Sequence, residues 1–130
     1  MYRCLFVEDD PQVAKLNAAF LEQDGFFVAA IAADAAQALT AVREQGFDLV
    51  LLDIFLPGAN GLEVLRQLRA ARQTAEVIII SAARDSAQIC EALRLGCVDY
   101  IIKPFSFDRL QLALNKFRQR SQLMHKQVLE

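Results

Sequence analysis

Leu49-Val50-Leu51-Leu52-Asp53-Ile54-Phe55-Leu56-Pro57-Gly58 is a short apolar run that halts at a carboxylate and then turns. Four consecutive aliphatic residues are too few for an independent helix and suit a strand buried on both faces. The Pro57-Gly58 pair supplies the turn. Asp53 therefore stands at the end of a buried strand. An Asp in that position is ordinarily a turn former or a helix cap, so its neighbours in space decide its meaning.

Working outward, apolar runs recur at 3–8, 26–31, 48–53, 76–81 and 98–102, each rich in Val, Ile, Leu or Phe. Between them the spacing turns helical: Val13, Leu16 and Phe20; Ala38, Leu39 and Val42; Leu62, Leu65 and Leu68; Ile89, Ala92 and Leu93. Asp34, Asn60, Asp85 and Ser106 are expected N-caps, and Gly25, Gly46 and Gly96 are expected left-handed stops. The pattern predicts an α/β fold of five strands and five helices. Such alternation gives parallel strands with right-handed crossovers and helices on both faces, and a closed eight-stranded barrel would need about 250 residues. Ligands in open sheets of this kind sit beyond the carboxyl ends of the strands. Glu8-Asp9-Asp10-Pro11, Asp53, Ser81 and Lys103-Pro104 all fall at that edge.

At 130 residues the chain is one domain, and its 55% hydrophobic content suits a sheet covered on both faces. A net charge of −2 argues against nucleic-acid contact by this segment, which would need a basic face. Cys4, Cys90 and Cys97 lack CxxC spacing and read as reduced core thiols. No run approaches the ~20 apolar residues of a membrane span and no signal peptide is recognisable, so the expected location is the cytoplasm. His125, alone in the C-terminal stretch, reads as solvent-exposed.

Glu8, Asp9 and Asp53 placed together repel one another unless a cation intervenes. Hard oxygen donors match Mg²⁺, or Mn²⁺ as a substitute, and not Zn²⁺. A carboxylate beside such a cation suits phosphoryl transfer onto Asp53 to form an acyl phosphate, a reaction governed by positioning and charge neutralisation. Lys103 and the Ser81 hydroxyl are placed to receive phosphoryl oxygens.

These segments, with Pro57, Gly58 and Gly61, Ser81-Ala82-Ala83 and Lys103-Pro104-Phe105, resemble the receiver domains of two-component response regulators over residues 2 to 120. The resemblance implies a flavodoxin-like sheet in the order 2-1-3-4-5. It implies Asp53 as phosphoacceptor, Asp9 as direct Mg²⁺ ligand, Glu8 acting through metal-bound water, and the Phe55 main-chain carbonyl completing the protein ligands. Ser81 becomes the switch hydroxyl, Lys103 the phosphate-binding cation and Tyr100 the switch aromatic, which swings inward on phosphorylation. The surface of the fourth helix, fifth strand and fifth helix then changes shape. The implied partners are a sensor histidine kinase and a helix-turn-helix output domain. Residues 1–120 would form the receiver and 121–130 the start of a linker. The stretches 80–85 and 91–100 further resemble the subgroup that controls citrate and C4-dicarboxylate metabolism.

Glu8 stands where Asp is commoner, a conservative change. Phe55 and Ala83 offer no side chain to orient water, so slow hydrolysis of the acyl phosphate is expected. Leu110, Leu114, Phe117, Ser121, Met124 and Val128 follow a four-three spacing. Either this seam joins a partner helix, as in a homodimer, or its first three residues face the sheet and the rest frays. The fourth helix, fifth strand and fifth helix offer a second dimer surface. A dehalogenase-like phosphatase would need an acid two residues after Asp53, where Phe55 stands, and neither GxGxxG nor GxxxxGK[ST] occurs. A pseudo-receiver that never carries phosphate, or a receiver without an output domain, are the remaining alternatives.

Overall fold

The computed structural model describes residues 1–129, with side chains described through Met124. The elements are β1 (Arg3–Val7), α1 (Pro11–Gln23), β2 (Phe27–Ala32), α2 (Ala35–Glu44), β3 (Leu49–Leu52), β4 (Phe55–Leu56), β5 (Ala59–Asn60), α3 (Gly61–Ala70), β6 (Glu76–Ser81), α4 (Ser86–Arg94), β7 (Asp99–Ile102) and α5 (Phe107–Leu129). The main sheet has the order β2-β1-β3-β6-β7 and every pair in it is parallel. Counting its strands alone, this is the expected 2-1-3-4-5. The other two strands form a small antiparallel ribbon that the sequence reading did not foresee.

Strand parity divides the core. Cys4, Phe6, Leu49, Leu51, Ile78 and Ile80 face a layer closed by α1 and α5. Their neighbours Leu5, Val7, Val50, Leu52, Val77 and Ile79 face α2, α3 and α4. The central strands β1, β3 and β6 are therefore apolar on both sides, which is why they read as continuous runs and not as alternations.

Asp34, Asn60 and Asp85 cap α2, α3 and α4 through side-chain oxygens, as expected. Ser106 Oγ accepts the Arg109 amide at the start of α5. Gly25 and Gly96 adopt φ +93° and +82°. Gly46 does not take the left-handed conformation: α2 stops at Glu44 because Gln45 is extended, with φ −147° and ψ 157°. Cys4 and Cys97 are buried free thiols, but Cys90 is exposed on the outer face of α4 and is no core residue. Leu110, Leu114 and Phe117 face the sheet, while the helix runs on without a break at 120. Met124 is exposed, and the side chains of His125 and Val128 lie outside the described residues.

Candidate functional site

β1 and β3 are adjacent and parallel, with Val7 opposite Leu52. Glu8 and Asp53, the next residues on each strand, therefore emerge side by side at the carboxyl edge of the sheet. Both are buried, at 5% and 6% exposure. Lys103, just beyond β7, reaches across that edge: its Nζ donates to Glu8 Oε1 at 2.8 Å and to Asp53 Oδ2 at 2.9 Å. Burial works against the ammonium, but the hydrogen bonds and charges of Glu8 and Asp53 together raise its pKa above the usual lysine value. The second oxygens have main-chain partners. Asp53 Oδ1 accepts the Phe55 amide at 2.9 Å, and Glu8 Oε2 accepts the Asp10 amide at 3.3 Å.

The turn after Asp53 is set by local chemistry. Pro57 precedes Gly58, whose φ of +74° suits the third position of a type II turn. This turn closes the β4–β5 ribbon, which delivers the chain to α3. Gly61, the first residue of α3, donates to Ile54 O at 2.7 Å. A Cβ on Gly61 would lie 2.0 Å from the Asp53 carbonyl oxygen. Helix α3 thus begins directly against the backbone of Asp53.

Asp9 is exposed and lines an open cavity of about 480 Å³ with Phe55, Pro57 and Asn60. The Phe55 side chain points to solvent at its rim, 57% exposed. Among the described residues, no three carboxylate, thiol or imidazole groups converge as a ready-made cage for an ion. What the edge supplies is two buried carboxylates, Glu8 and Asp53, bridged by one ammonium, with the exposed Asp9 on the open cavity beside them. That donor set fits a hard divalent cation that keeps much of its water, and Mg²⁺ binds in this way.

Ser81 is fully buried at the end of β6, and its Oγ accepts the Ala83 amide at 3.2 Å instead of reaching Asp53 or Lys103. Its carbonyl accepts the Lys103 amide at 2.9 Å, tying the two loops together. Tyr100 already lies inward, 9% exposed, with its hydroxyl donating to the Ala83 carbonyl at 2.7 Å. The inward swing expected for phosphorylation is therefore not needed to bury this ring in the conformation seen here. Burial first, then the charge of Asp53, raises the Tyr100 pKa, which keeps the phenol protonated as a donor. Ala83 is packed into the core, so a glutamate there would have to bury its carboxyl or displace Tyr100.

Some features escaped the sequence reading. Asp10 belongs to the acidic triplet in sequence, yet its side chain caps α1, with Oδ1 accepting the amides of Gln12 and Val13. The signal was present: Asp followed by Pro at the first helical position is a helix start. Arg84 donates to the Lys103 carbonyl at 3.3 Å. The resemblance places kinase specificity on the first helix, at Val13, Ala14, Asn17 and Ala18, but does not foresee the apolar groove of about 590 Å³ that Asn17, 96% buried, lines with Leu16, Ala82, Lys103, Phe105 and Phe107.

A parallel sheet of this order, carrying an acid pair bridged by lysine at its carboxyl edge, is the architecture of a receiver. The response regulator receiver domain family matches residues 4–115, and the chain belongs to it. Receivers are signalling domains of two-component systems, phosphorylated by sensor kinases, and as a class they bind Mg²⁺. Transcriptional regulatory protein MalR of Bacillus subtilis is 48% identical over 124 residues, spanning 95% of this chain and 53% of that protein. The "Probable C4-dicarboxylate response regulator DctR" of Halalkalibacterium halodurans is 37% identical over 129 residues, spanning 98% of this chain and 56% of that protein. The chain thus spans about half the length of the curated relatives it matches. Among solved structures, the response regulator TrrA of Thermotoga maritima, in complex with Mg²⁺-BeF, superposes with a TM-score of 0.80 at 30% identity, covering 90% of this chain and 99% of that one.

Proposed function

We propose that Asp53 accepts a phosphoryl group from the phosphohistidine of a sensor histidine kinase. The observation that carries this reading is the Lys103 ammonium bridging the two buried carboxylates at the strand ends. An Asp53 carboxylate oxygen attacks phosphorus, the phosphorus–nitrogen bond breaks, and the electron pair leaves on the imidazole. No base is needed, because a carboxylate nucleophile, unlike a hydroxyl, has no proton to be removed as it attacks. The Phe55 amide holds one Asp53 oxygen, while Lys103 lies on the other and can follow the charge onto a phosphoryl oxygen. Ser81 Oγ must leave the Ala83 amide to bind a second phosphoryl oxygen. Asp9, Asp53 and the Phe55 carbonyl, supported by Glu8, would hold Mg²⁺ or its substitute Mn²⁺, which when bound neutralises charge on the transferred group.

The groove beside Lys103 lies along α1 and is where the kinase approaches. Residues 1–120 serve as the receiver and the stretch from 121 leads toward a DNA-binding helix-turn-helix domain. Likeness to MalR, a transcriptional regulatory protein, and to DctR, a probable C4-dicarboxylate response regulator, supports a place among transcriptional regulators of citrate or C4-dicarboxylate metabolism, with the cytoplasm as the site of action. Among the described residues no helix is long and apolar enough to cross a membrane. Pairing of two copies, through the face of α4, β7 and α5 or along extended α5, would convert phosphorylation into DNA binding. Autodephosphorylation is slow, because exposed Phe55 cannot orient water.

Intact mass after incubation with acetyl phosphate and Mg²⁺, beside Asp53→Asn, tests the central claim. One added phosphoryl group that requires both Mg²⁺ and Asp53 is expected. No adduct, or one retained in Asp53→Asn, would overturn it.

A further inference from the structure

Helix α4 is held in an unusual way. It buries one residue, Ala92, whereas α3 beside it buries five. Besides partial packing of Ile89 and Leu95 against the core, it is attached through polar contacts near its two ends. Ahead of its first turn, Ala83 is gripped by Ser81 Oγ on its amide and by the Tyr100 hydroxyl on its carbonyl. At the far end, Arg69 of α3 donates from Nε to the carbonyl of Leu95, the C-cap of α4, at 2.8 Å. The same guanidinium donates from Nη1 to Ala75 O at 2.9 Å and to Gln73 O at 3.3 Å. One side chain therefore joins the end of α4 to the chain entering β6. Its own base is fixed, because Leu65 and Leu68 of α3 are fully buried. A cation on the last carbonyls of a helix also opposes the negative end of its dipole.

The two ends respond differently to the phosphoryl group. The Ser81 end must be released when Oγ turns to the acyl phosphate, whereas nothing about phosphorylation touches the Arg69 contacts. We propose that Arg69 is the pivot of α4: it keeps the C-terminal end of the helix in place, so that release at Ser81 turns α4 about Leu95 and does not free it as a whole. This rests on the phosphoacceptor reading of Asp53 and Ser81. Arg66, one turn earlier on α3, also reaches α4 through Glu91. That pair is largely exposed, and exposed pairs contribute little, so it serves as an internal control.

Amide hydrogen exchange with and without beryllofluoride and Mg²⁺ tests the pivot. The reporting amides lie at opposite ends: Ile89, bonded to Asp85 O, and Leu95 and Cys97, bonded to Glu91 O and Ala92 O. In the wild-type chain, beryllofluoride should change exchange at Ile89 at least tenfold and at Leu95 and Cys97 less than twofold. Arg69→Met should speed exchange at Leu95 and Cys97 at least tenfold, with or without beryllofluoride, while β1 and β3 amides keep their rates. Arg66→Ala should leave both ends as in the wild type. Arg69→Gln, which keeps one donor, provides a milder variant should Arg69→Met fold poorly. Unchanged exchange at Leu95 and Cys97 in both Arg69 variants, or equal acceleration throughout the sheet, would overturn the pivot. If beryllofluoride alters nothing in the wild type, the reading of Asp53 fails, and the turning motion with it. A normal response at Ile89 with unaffected Arg69 variants removes the pivot alone.

Discussion

Replacing Gly61 by alanine sets two physical effects against each other with opposite signs. Helix propensity favours the change by up to about 1 kcal/mol, since Gly61 is the first residue of α3. Space opposes it. The new Cβ would meet the Asp53 carbonyl oxygen at 2.0 Å, Ile54 Cα at 2.8 Å and the Asp53 carbonyl carbon at 2.9 Å. Close carbon–oxygen contacts settle near 3.3–3.6 Å, so α3 and Asp53 must part by more than about 1 Å. All three atoms are backbone, and no rotamer change can relieve them. Overpacking of this kind costs about 1–3 kcal/mol, and the 2.7 Å bond from the Gly61 amide to Ile54 O, worth about 1 kcal/mol, is stretched away. The net expectation is a loss of about 2 kcal/mol, which at a urea slope of about 1–3 kcal/mol/M lowers the unfolding midpoint by about 1 M. The movement falls on the proposed phosphoacceptor, and a 1 Å misplacement costs on the order of 100-fold in rate. Circular dichroism in urea and acetyl phosphate labelling would read both. A midpoint equal to or above the wild type would refute the steric argument, because propensity would then have won.

Other expectations follow from the same contacts. Lys103→Met leaves Glu8 and Asp53 buried without their shared cation. The cost should be about 1–3 kcal/mol, below the range for fully buried pairs because Lys103 is 27% exposed. Added Mg²⁺ should restore stability in urea more in the variant than in the wild type, and equal stability without Mg²⁺ would contradict this. Burial pushes the thiols of Cys4 and Cys97 up to about 12 and about 11, so a thiol reagent at pH 8 should modify Cys90 alone until the protein unfolds. Rapid modification of two thiols in the native protein would count against that core. Burial disfavours the Asp99 carboxylate, but Arg109, Lys116 and the Tyr100 amide outweigh it and lower its pKa. Its stabilisation is complete above the unfolded value of about 3.9 and is lost as pH falls through the lower folded value. Asp99→Asn should therefore be less stable than wild type at pH 7 by about 1–2 kcal/mol, and thermal melts should show the gap closing in strong acid. Phe55→Asn should shorten the lifetime of the acyl phosphate, measured by loss of label, and an unchanged lifetime would remove Phe55 as the cause of slow hydrolysis.

The sheet and its order were legible because burial on both faces leaves unbroken apolar runs that few other arrangements tolerate. The strand-end placement of Glu8, Asp53, Ser81 and Lys103 followed from those runs alone. What they touch did not. Lys103 bonds directly to Glu8 and Asp53, a matter of side-chain reach that strand positions leave open. Asp10 was masked by its acidic neighbours, although its role as a cap follows from Pro11. Gly46 misled because a glycine after a helical stretch is a common left-handed stop, whereas Gln45 had already ended α2 in an extended conformation. Arg69 gave no signal, since its partners are main-chain carbonyls brought together by tertiary packing.

The bond from the Tyr100 hydroxyl to the Ala83 carbonyl also makes the molecule its own optical probe. The chain has no tryptophan and two tyrosines, so its ultraviolet emission comes from Tyr2 and Tyr100. Tyr2 is packed edge-on against Phe117 at 4.9 Å, at the opposite end of the sheet from Asp53. A phenol that donates to a peptide carbonyl emits more weakly than one that is free. In a Tyr2→Phe background, any change in the Ala83 loop would therefore be readable as tyrosine fluorescence, in real time and without a label.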